Sequence, residues 1–410
     1  RAAEHHVHRR DGHVAVDTRE RQRIVGDVTI TPMDMMLGRT WPDTVSMHKS
    51  NFDSHGFTVH PMFLIRPPDR AGMTVYVPLR ALLPKGLENI MVTGLGVSAH
   101  RDAIPVIRMQ PCVQNQGYAA GRIAAAAARS ASTVRQVDLE RIQEHLVRTE
   151  CLPPEVLDHE GSFPLPEERV KQAVANVADG YKDLEVLLAQ PDQALPLLKQ
   201  AHAAAGDEEA RRIYAHILGM MHDPAGTETL VRTVRGIEAW DKGWNYRGMG
   251  QFGRSISPLD SYVIALGRTR RPEALGPLLA KARLLDAGQA FSHHRAVAMA
   301  LEALGPALAP ARRKEAARVL ADVLAKPEMT GYATTTVAEA KAKAAPGGRT
   351  ATKPRNDSLR ELVLARALYR LGDHEGVGQR ILRLYATDLR GHYARHARAV
   401  LDGEATGNGQ

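Results

Sequence analysis

The stretch NIMVTGLGVSAHRDAIPVIRMQPCVQNQGYAAGRIAAAAA, residues 89–127, decides how the first third of the chain is read. Gly94, Gly96 and Ala99 have the G-x-G-x-x-G/A spacing, and Ile90, Met91 and Val92 before them read as a strand. In a dinucleotide-binding unit a helix opens directly after the glycines, with its N-terminus on the pyrophosphate. Here Pro105 intervenes and the helical pattern starts near Pro111. The glycines therefore call for a different explanation.

Composition bounds the alternatives. The 410 residues are enough for two or three domains, and 44% hydrophobic content supports a packed core. A net charge of +8, from 54 Lys+Arg against 46 Asp+Glu, is a mild excess that does not by itself indicate nucleic acid. The two cysteines, Cys112 and Cys151, provide neither a disulfide framework nor a zinc site. No apolar run approaches the ~18 residues of a membrane helix. Arg1 is followed by no signal pattern, and RDGHVAVDTRERQRIVGD reads as the middle of a folded domain. The expectation is a fragment, with its compartment left open.

Residues 1–130 mix short β-like runs (Val14–Val16, Ile24–Val28, Met73–Val77, Ile90–Thr93) with turn signals such as Lys85-Gly86. Thr31-Pro32-Met33-Asp34 has the chemistry of a helix start: a capping threonine, a proline pre-set for the first turn, an acid at the positive end of the dipole. A second helix is expected from about Pro111 to Arg129; Gln110 is a poor cap, so something else is expected at that helix end.

Residues 131–190 read as a connecting helical layer, broken at Pro153-Pro154 and Gly161. Residues 191–403 read as paired helices. Ala210, Ile213, Tyr214, Ile217, Leu218 and Met221 keep one face, as do Val297, Ala300, Leu301 and Leu304, and Ala316, Val319, Leu320, Val323 and Leu324. Asp207 is expected to cap a helix, and Ser358 with Glu361 has capping-box spacing. The phrases ILGMMHDPAG (217–226), ALGRTRRPEAL (265–275) and YRLGDHEGV (369–377) recur as helix end, glycine, polar turn and new helix. This resembles divergent HEAT-like repeats. Residues 338–357, rich in Lys, Pro and Gly, read as a flexible loop.

Three segments in order, RERQRIVGDVTITPMDMMLGRTWPD (19–43), YVPLRALLPKGLENIMVTGLGVSAH (76–100) and IRMQPCVQNQGYAAGRIAA (107–125), resemble the C-terminal half of the FAD-dependent oxidoreductase family with a glutathione-reductase-type flavin fold. The fold class this implies is α+β: the C-terminal part of an FAD-binding and substrate domain, followed by an all-α repeat region. In that family the last strand and helix return to the flavin, so the resemblance implies FAD contacts from Gly94, Gly96, Arg108, Met109, Gln110, Pro111 and Gly117. Reduced flavin is negative around N1, which suits a helix N-terminus and Arg108. Gly117 and Gly121 would let the helix press close to the sheet or cofactor. The ADP-binding fingerprint of the family does not precede these segments, which implies weak FAD binding, or none, by this chain alone.

The resemblance also marks candidates on the substrate side. His100 or His55 would act as acid or base, with Arg101, Asp53, Arg39 and Arg80 in contact with a small-molecule substrate. For Asp53 with His55 a structural pair is the competing reading, and for Arg23, Arg39 and Arg80 pairing with Asp27 or Asp43 is. His5, His6 and His8 lack a partner spaced for metal, so no metal site is expected. A second G-x-G-x-x-G, Gly248 to Gly253, lacks a preceding strand and reads as an inter-repeat loop. The competing class is a binding scaffold: helical repeats present long surfaces, and Arg268, Arg270 and Arg271 form a basic cluster suited to an acidic protein or nucleic acid. No aromatic stacking platform accompanies it, which speaks against nucleic acid.

Overall fold

The computed structural model describes residues 22–54, 57–67, 72–247, 254–343 and 352–403. His5, His6, His8, His55, the run Val14–Val16 and the second glycine motif lie outside them. The chain divides into two compact units, Arg1–Ser54 with Asp69–Leu165, and His55–Pro68 with Pro166–Gln410.

In the first unit, α1 (Pro32–Met36) opens as its sequence requires. Thr31 and Asp34 form a reciprocal capping box, and all five helical residues are buried. The strand β1 (Thr44–Ser50) pairs antiparallel with β2 (Met73–Pro78), placing His48 opposite Val75. Between them, α2 (Pro61–Ile65) belongs to the second unit. Then come α3 (Ile104–Ile107), α4 (Gln110–Ser130) and α5 (Leu139–Arg148), with β1 packed against α3 and α4. Helix α4 buries Gln116, Ala119, Ala120, Ile123 and Ala127 along one face. Gly117 and Gly121 cost that helix about 1 kcal/mol each relative to alanine. Full burial of Ile123 returns ~2 kcal/mol, and the alanine run supplies the rest of the propensity.

Two expected strands are absent. Residues 24–28 and 90–93 form no ladder; the chain there is held by single bonds and isolated bridges, Gly26 to Pro84 and Ile30 to Ala99. Asn89 and Gly94 both have positive φ, which turns the backbone at each end of the expected strand. The β-rich composition of 90–93 is overridden by these turns.

The second unit has helices as its regular elements among its described residues. It runs α6 (Glu167–Asn176), α7 (Leu184–Ala189), α8 (Pro191–Ala204), α9 (Glu208–Met220), α10 (Thr227–Gly236), α11 (Pro258–Arg268), α12 (Leu275–Arg283), α13 (Phe291–Leu304), α14 (Pro310–Leu324), α15 (Val337–Lys343), α16 (Lys353–Arg370), α17 (Val377–Tyr385) and α18 (Gly391–Leu401). Helices α9, α11, α13 and α16 pack each on the next, while α10, α12 and α14 form a second row beside them. The apolar faces read on α13 and α14 are buried, as are Ile213, Tyr214, Ile217 and Leu218 on α9, with Ala210 and Met221 at its ends half-buried; Asp207 caps α9 as expected.

The recurring phrase is a recurring turn. After α9 and α11 a residue adopts positive φ (His222, Arg270), and Pro224 or Pro272 then opens a short 3-10 turn into the next helix. The glycine in the phrase brings helices together. A Cβ on Gly219 would stand 2.8 Å from the Ala265 carbonyl, and one on Gly267 only 2.4 Å from Ala300 Cα. Two readings need correction. Ser358 and Glu361 do not cap a helix, because α16 opens five residues earlier at Lys353-Pro354. Ser358 instead donates back to the Pro354 carbonyl at 2.8 Å, and Glu361 accepts from Gly331, Tyr332 and Tyr385. Within the lysine-rich segment 338–357, helix covers the start and resumes at Lys353, since alanine, glutamate and lysine favour it.

Candidate functional site

The glycines of the opening stretch form a single 3-10 turn, Gly94–Gly96. Gly94 has φ +68°, and a Cβ on Gly96 would meet Val92 Cγ1 at 2.8 Å, so both glycines have a local reason. The Gly94 N–H donates to Gln116 Oε1 at 2.6 Å. Gln116 is 1% exposed on the inward face of α4, so a buried side chain fastens the turn to that helix. Sequence reasoning missed Gln116; its signal was a polar residue at i of the apolar series 116, 119, 120, 123, 127.

Helix α4 begins one residue earlier than expected, at Gln110. Its N-cap, Met109, has extended backbone and no side-chain hydrogen bond to the first turn, and Gln110 and Pro111 are exposed. Pro111 needs no acceptor, having no N–H. Just before the helix, Arg108 donates to the Asp53 carbonyl at 2.6 Å and its carboxylate at 3.2 Å. Two candidates far apart in sequence are thus brought together. No described residue comes within 4 Å of a Cβ on Gly117 or Gly121, so neither presses against the sheet.

The backbone N–H of His100 donates to the Ile30 carbonyl, and the N–H of Asp102 donates to His100 Nδ1 at 3.0 Å. A nitrogen that accepts a hydrogen bond keeps its lone pair, so the neutral ring carries its proton on Nε2. Burial lowers the His100 pKa; the Asp102 carboxylate pulls it up, and the Arg101 and Arg23 charges push it further down. Arg101 pairs with the buried Asp102 at 3.2 Å. Arg39 pairs with Asp34 at 3.0 Å, its guanidinium stacked between the rings of Trp41 (3.7 Å) and Phe163 (4.3 Å). Arg80 grips Asp43 through two donors, at 2.8 and 3.0 Å.

A second unforeseen residue is His48. It is fully buried on β1, near Ser46 Oγ (3.2 Å), and its Nδ1 has no hydrogen-bond partner among the described residues. Burial brings its pKa down to about 4, so the ring is neutral. Among the described residues no group of His, Cys, Asp and Glu could hold a metal ion, and no helix is long and apolar enough to cross a membrane.

Residues 8–146 match the family model for FAD dependent oxidoreductases. The match supports the oxidoreductase resemblance and leaves the chain beyond residue 146 unmatched. No curated protein and no solved structure matches the chain.

Proposed function

We infer that the first unit forms the flavin- and substrate-facing part, the C-terminal half, of an FAD-dependent oxidoreductase domain, and that the helical unit is an appended HEAT-like array. The observation that carries this reading is the opening of α4. Its exposed first turn lacks a side-chain cap and stands beside a glycine turn fastened to it by Gln116. Unpaired N–H groups and about half a positive charge at a helix start favour an electron-rich group. Met109, Gln110 and Pro111 would meet the flavin ring there, with Gly94 and Gly96 beside them. These residues fit the flavin half of FAD. For the ADP half, the described residues offer no strand, glycine turn and helix in succession, and their sheet has two antiparallel strands. FAD retention by this chain is therefore expected to be weak.

When bound, FAD supplies the acceptor for a hydride from the substrate. This chain contributes position and polarity. His100 is the acid or base candidate on this unit; its Nδ1 already accepts from the Asp102 N–H, so protonation there would break that bond. Arg108, held by Asp53, adds positive charge beside the helix start. Asp53, Arg39 and Arg80, each already paired, shape the substrate side more than they bind charge outright. His55 is the other acid or base candidate.

Of the basic cluster behind the scaffold reading, Arg268 turns inward to donate to the Met220 carbonyl at 3.1 Å, while Arg270 and Arg271 are exposed. Burial and the nearby Arg270 charge lower the Arg268 pKa to about 10, a sign of a packed arginine. The test of the flavin reading is titration of FAD and FMN followed by flavin fluorescence. Saturable quenching is expected, weakened about tenfold, or ~1.4 kcal/mol, by Gln116→Leu, which unfastens the glycine turn. No saturation with either flavin, or equal binding by the variant, would remove the reading.

A further inference from the structure

The helical unit contains a cavity of about 150 Å³ lined from α2, α9 and the start of α11. One side of it is apolar. Phe63 and Leu64 of α2 and Ile256, just before α11, line it and are almost fully buried. The other side is a line of polar side chains: Ser261, His216, Tyr181 and Tyr262.

The direction of every bond in that line follows from one fixed point. A carbonyl oxygen can only accept, so the Ser261 hydroxyl, 2.6 Å from the Leu64 carbonyl, spends its proton there. Ser261 Oγ must then accept from His216 Nε2, at 2.7 Å, which puts the imidazole proton on Nε2. Burial holds the ring neutral, with a pKa of about 3, so Nδ1 is bare and accepts from the Tyr181 hydroxyl at 2.7 Å. Burial also raises the Tyr181 pKa, which keeps that hydroxyl protonated. Tyr181 has now given its only proton. Its further hydrogen bond with Tyr262 must therefore run from the Tyr262 hydroxyl to the Tyr181 oxygen. Reversing the line would set the Ser261 and Leu64 oxygens against each other with no proton between them, a buried acceptor left unpaired. The Tyr262 oxygen thus ends the line with lone pairs to share and no proton to give.

Size and polarity together select a ligand. An apolar cavity of about 150 Å³ is the volume that takes up a benzene ring. A plain hydrocarbon ring would leave the Tyr262 oxygen against apolar surface, whereas a ring bearing an O–H would supply the donor that this oxygen lacks. We propose that this cavity binds a small phenol, its ring against Phe63 and Ile256 and its hydroxyl donating to the Tyr262 oxygen. None of the residues assigned to the flavin takes part, so the site stands or falls without them.

The experiment titrates the full chain with 4-fluorophenol and with 4-fluorotoluene, in which a methyl replaces the hydroxyl, and follows the fluorine resonance of each. Saturable binding of the phenol is expected, about tenfold tighter than that of the toluene. Tyr262 is half-buried, so Tyr262→Phe leaves the cavity its shape; it should bring the phenol down to the affinity of the toluene and leave the toluene unchanged. Tyr369→Phe, the same change at a half-buried tyrosine of α16, should bind both as the parent does. Ile256→Phe, which fills the apolar side, should abolish both, provided circular dichroism shows the helices retained. No saturation by the phenol, equal affinities of the two ligands for the parent chain, or a phenol preference that survives Tyr262→Phe would overturn the proposal.

Discussion

Glycines in α4 and glycines in α9 and α11 do opposite things. Those of α4, Gly117 and Gly121, have no described residue within 4 Å of a Cβ, whereas Gly219 and Gly267 each meet the backbone of the next helix. In the first unit Arg39–Asp34 and Arg80–Asp43 each include an arginine in contact with solvent. In the helical unit, His293 and Asp260 face each other at 2.6 Å with both side chains sealed from water. The helices that meet at Gly219 and Gly267 are interlocked, so those glycines and the His293–Asp260 pair are explained by packing. On α4, no described residue covers Gly117 or Gly121, and the first turn is exposed.

The largest effect should come from Asp260→Ala. His293 faces two acceptors, Asp260 at Nδ1 and the Asp241 carbonyl at Nε2, an arrangement that only the protonated ring satisfies at both nitrogens. Removing the acid leaves a buried imidazolium uncompensated and strips the capping box of α11, a loss of ~3–5 kcal/mol. Urea unfolding of the helical unit measures it. A loss below ~1 kcal/mol would mean that water or a shifted loop takes over, and the interlocked description would fail.

Next comes Gly267→Ala. The added methyl would need α11 and α13 to separate, at a cost of ~3 kcal/mol, the upper range for overpacking. Gly121→Ala adds the same methyl to α4 and should instead stabilise by ~1 kcal/mol. Opposite signs for one chemical change are the sharpest test of the contrast between the units.

The histidines give the contrast a pH dependence. Burial alone would lower the His293 pKa, but the bond and charge of Asp260, with help from Asp241, outweigh it and raise it above 6.5. A raised folded-state value means that the stabilisation is complete below pH 6.5 and drains away as pH climbs through the raised value. His216 behaves in reverse. It lies between Tyr181 Oη and Ser261 Oγ, both at 2.7 Å, and burial holds it neutral with a pKa of about 3. Its contribution is lost as pH falls below the unfolded value toward 3. Urea midpoints across pH should show both limbs, with His293→Gln flattening the alkaline one. An alkaline limb unchanged in that variant would refute the cationic pair.

Legibility in the sequence follows the same division. The faces of α9, α13 and α14 repeat every 3.6 residues and could be read directly, as could the cap of α1, because both signals are local. Strand β1 could not: TVSMHKS has no clean alternation, and its register comes from β2 across an excursion into the other unit. The expected strand at 90–93 and the expected cap at Ser358 failed because turns and an earlier proline start overrode short-range pattern. At the candidate site, Arg108 and Asp53 were each singled out, but their pairing is a tertiary fact. Gln116 and His48 were missed because a buried polar residue looks, in sequence, like any other polar residue.

The smallest expected effect bears most directly on function. Gly117 lies on the outward face of α4, and among the described residues an alanine there has no atom to strike. In the unliganded chain Gly117→Ala should therefore raise stability by ~1 kcal/mol, through helix propensity alone. If that face is kept bare for the flavin, the same variant should bind FAD more weakly although it is more stable. A stabilised variant with unchanged FAD titration would keep the helix opening at Gln110 as the contact and remove Gly117 from it. A destabilised variant would show that the face is covered by the protein itself, and the open character of the first unit would be lost with it.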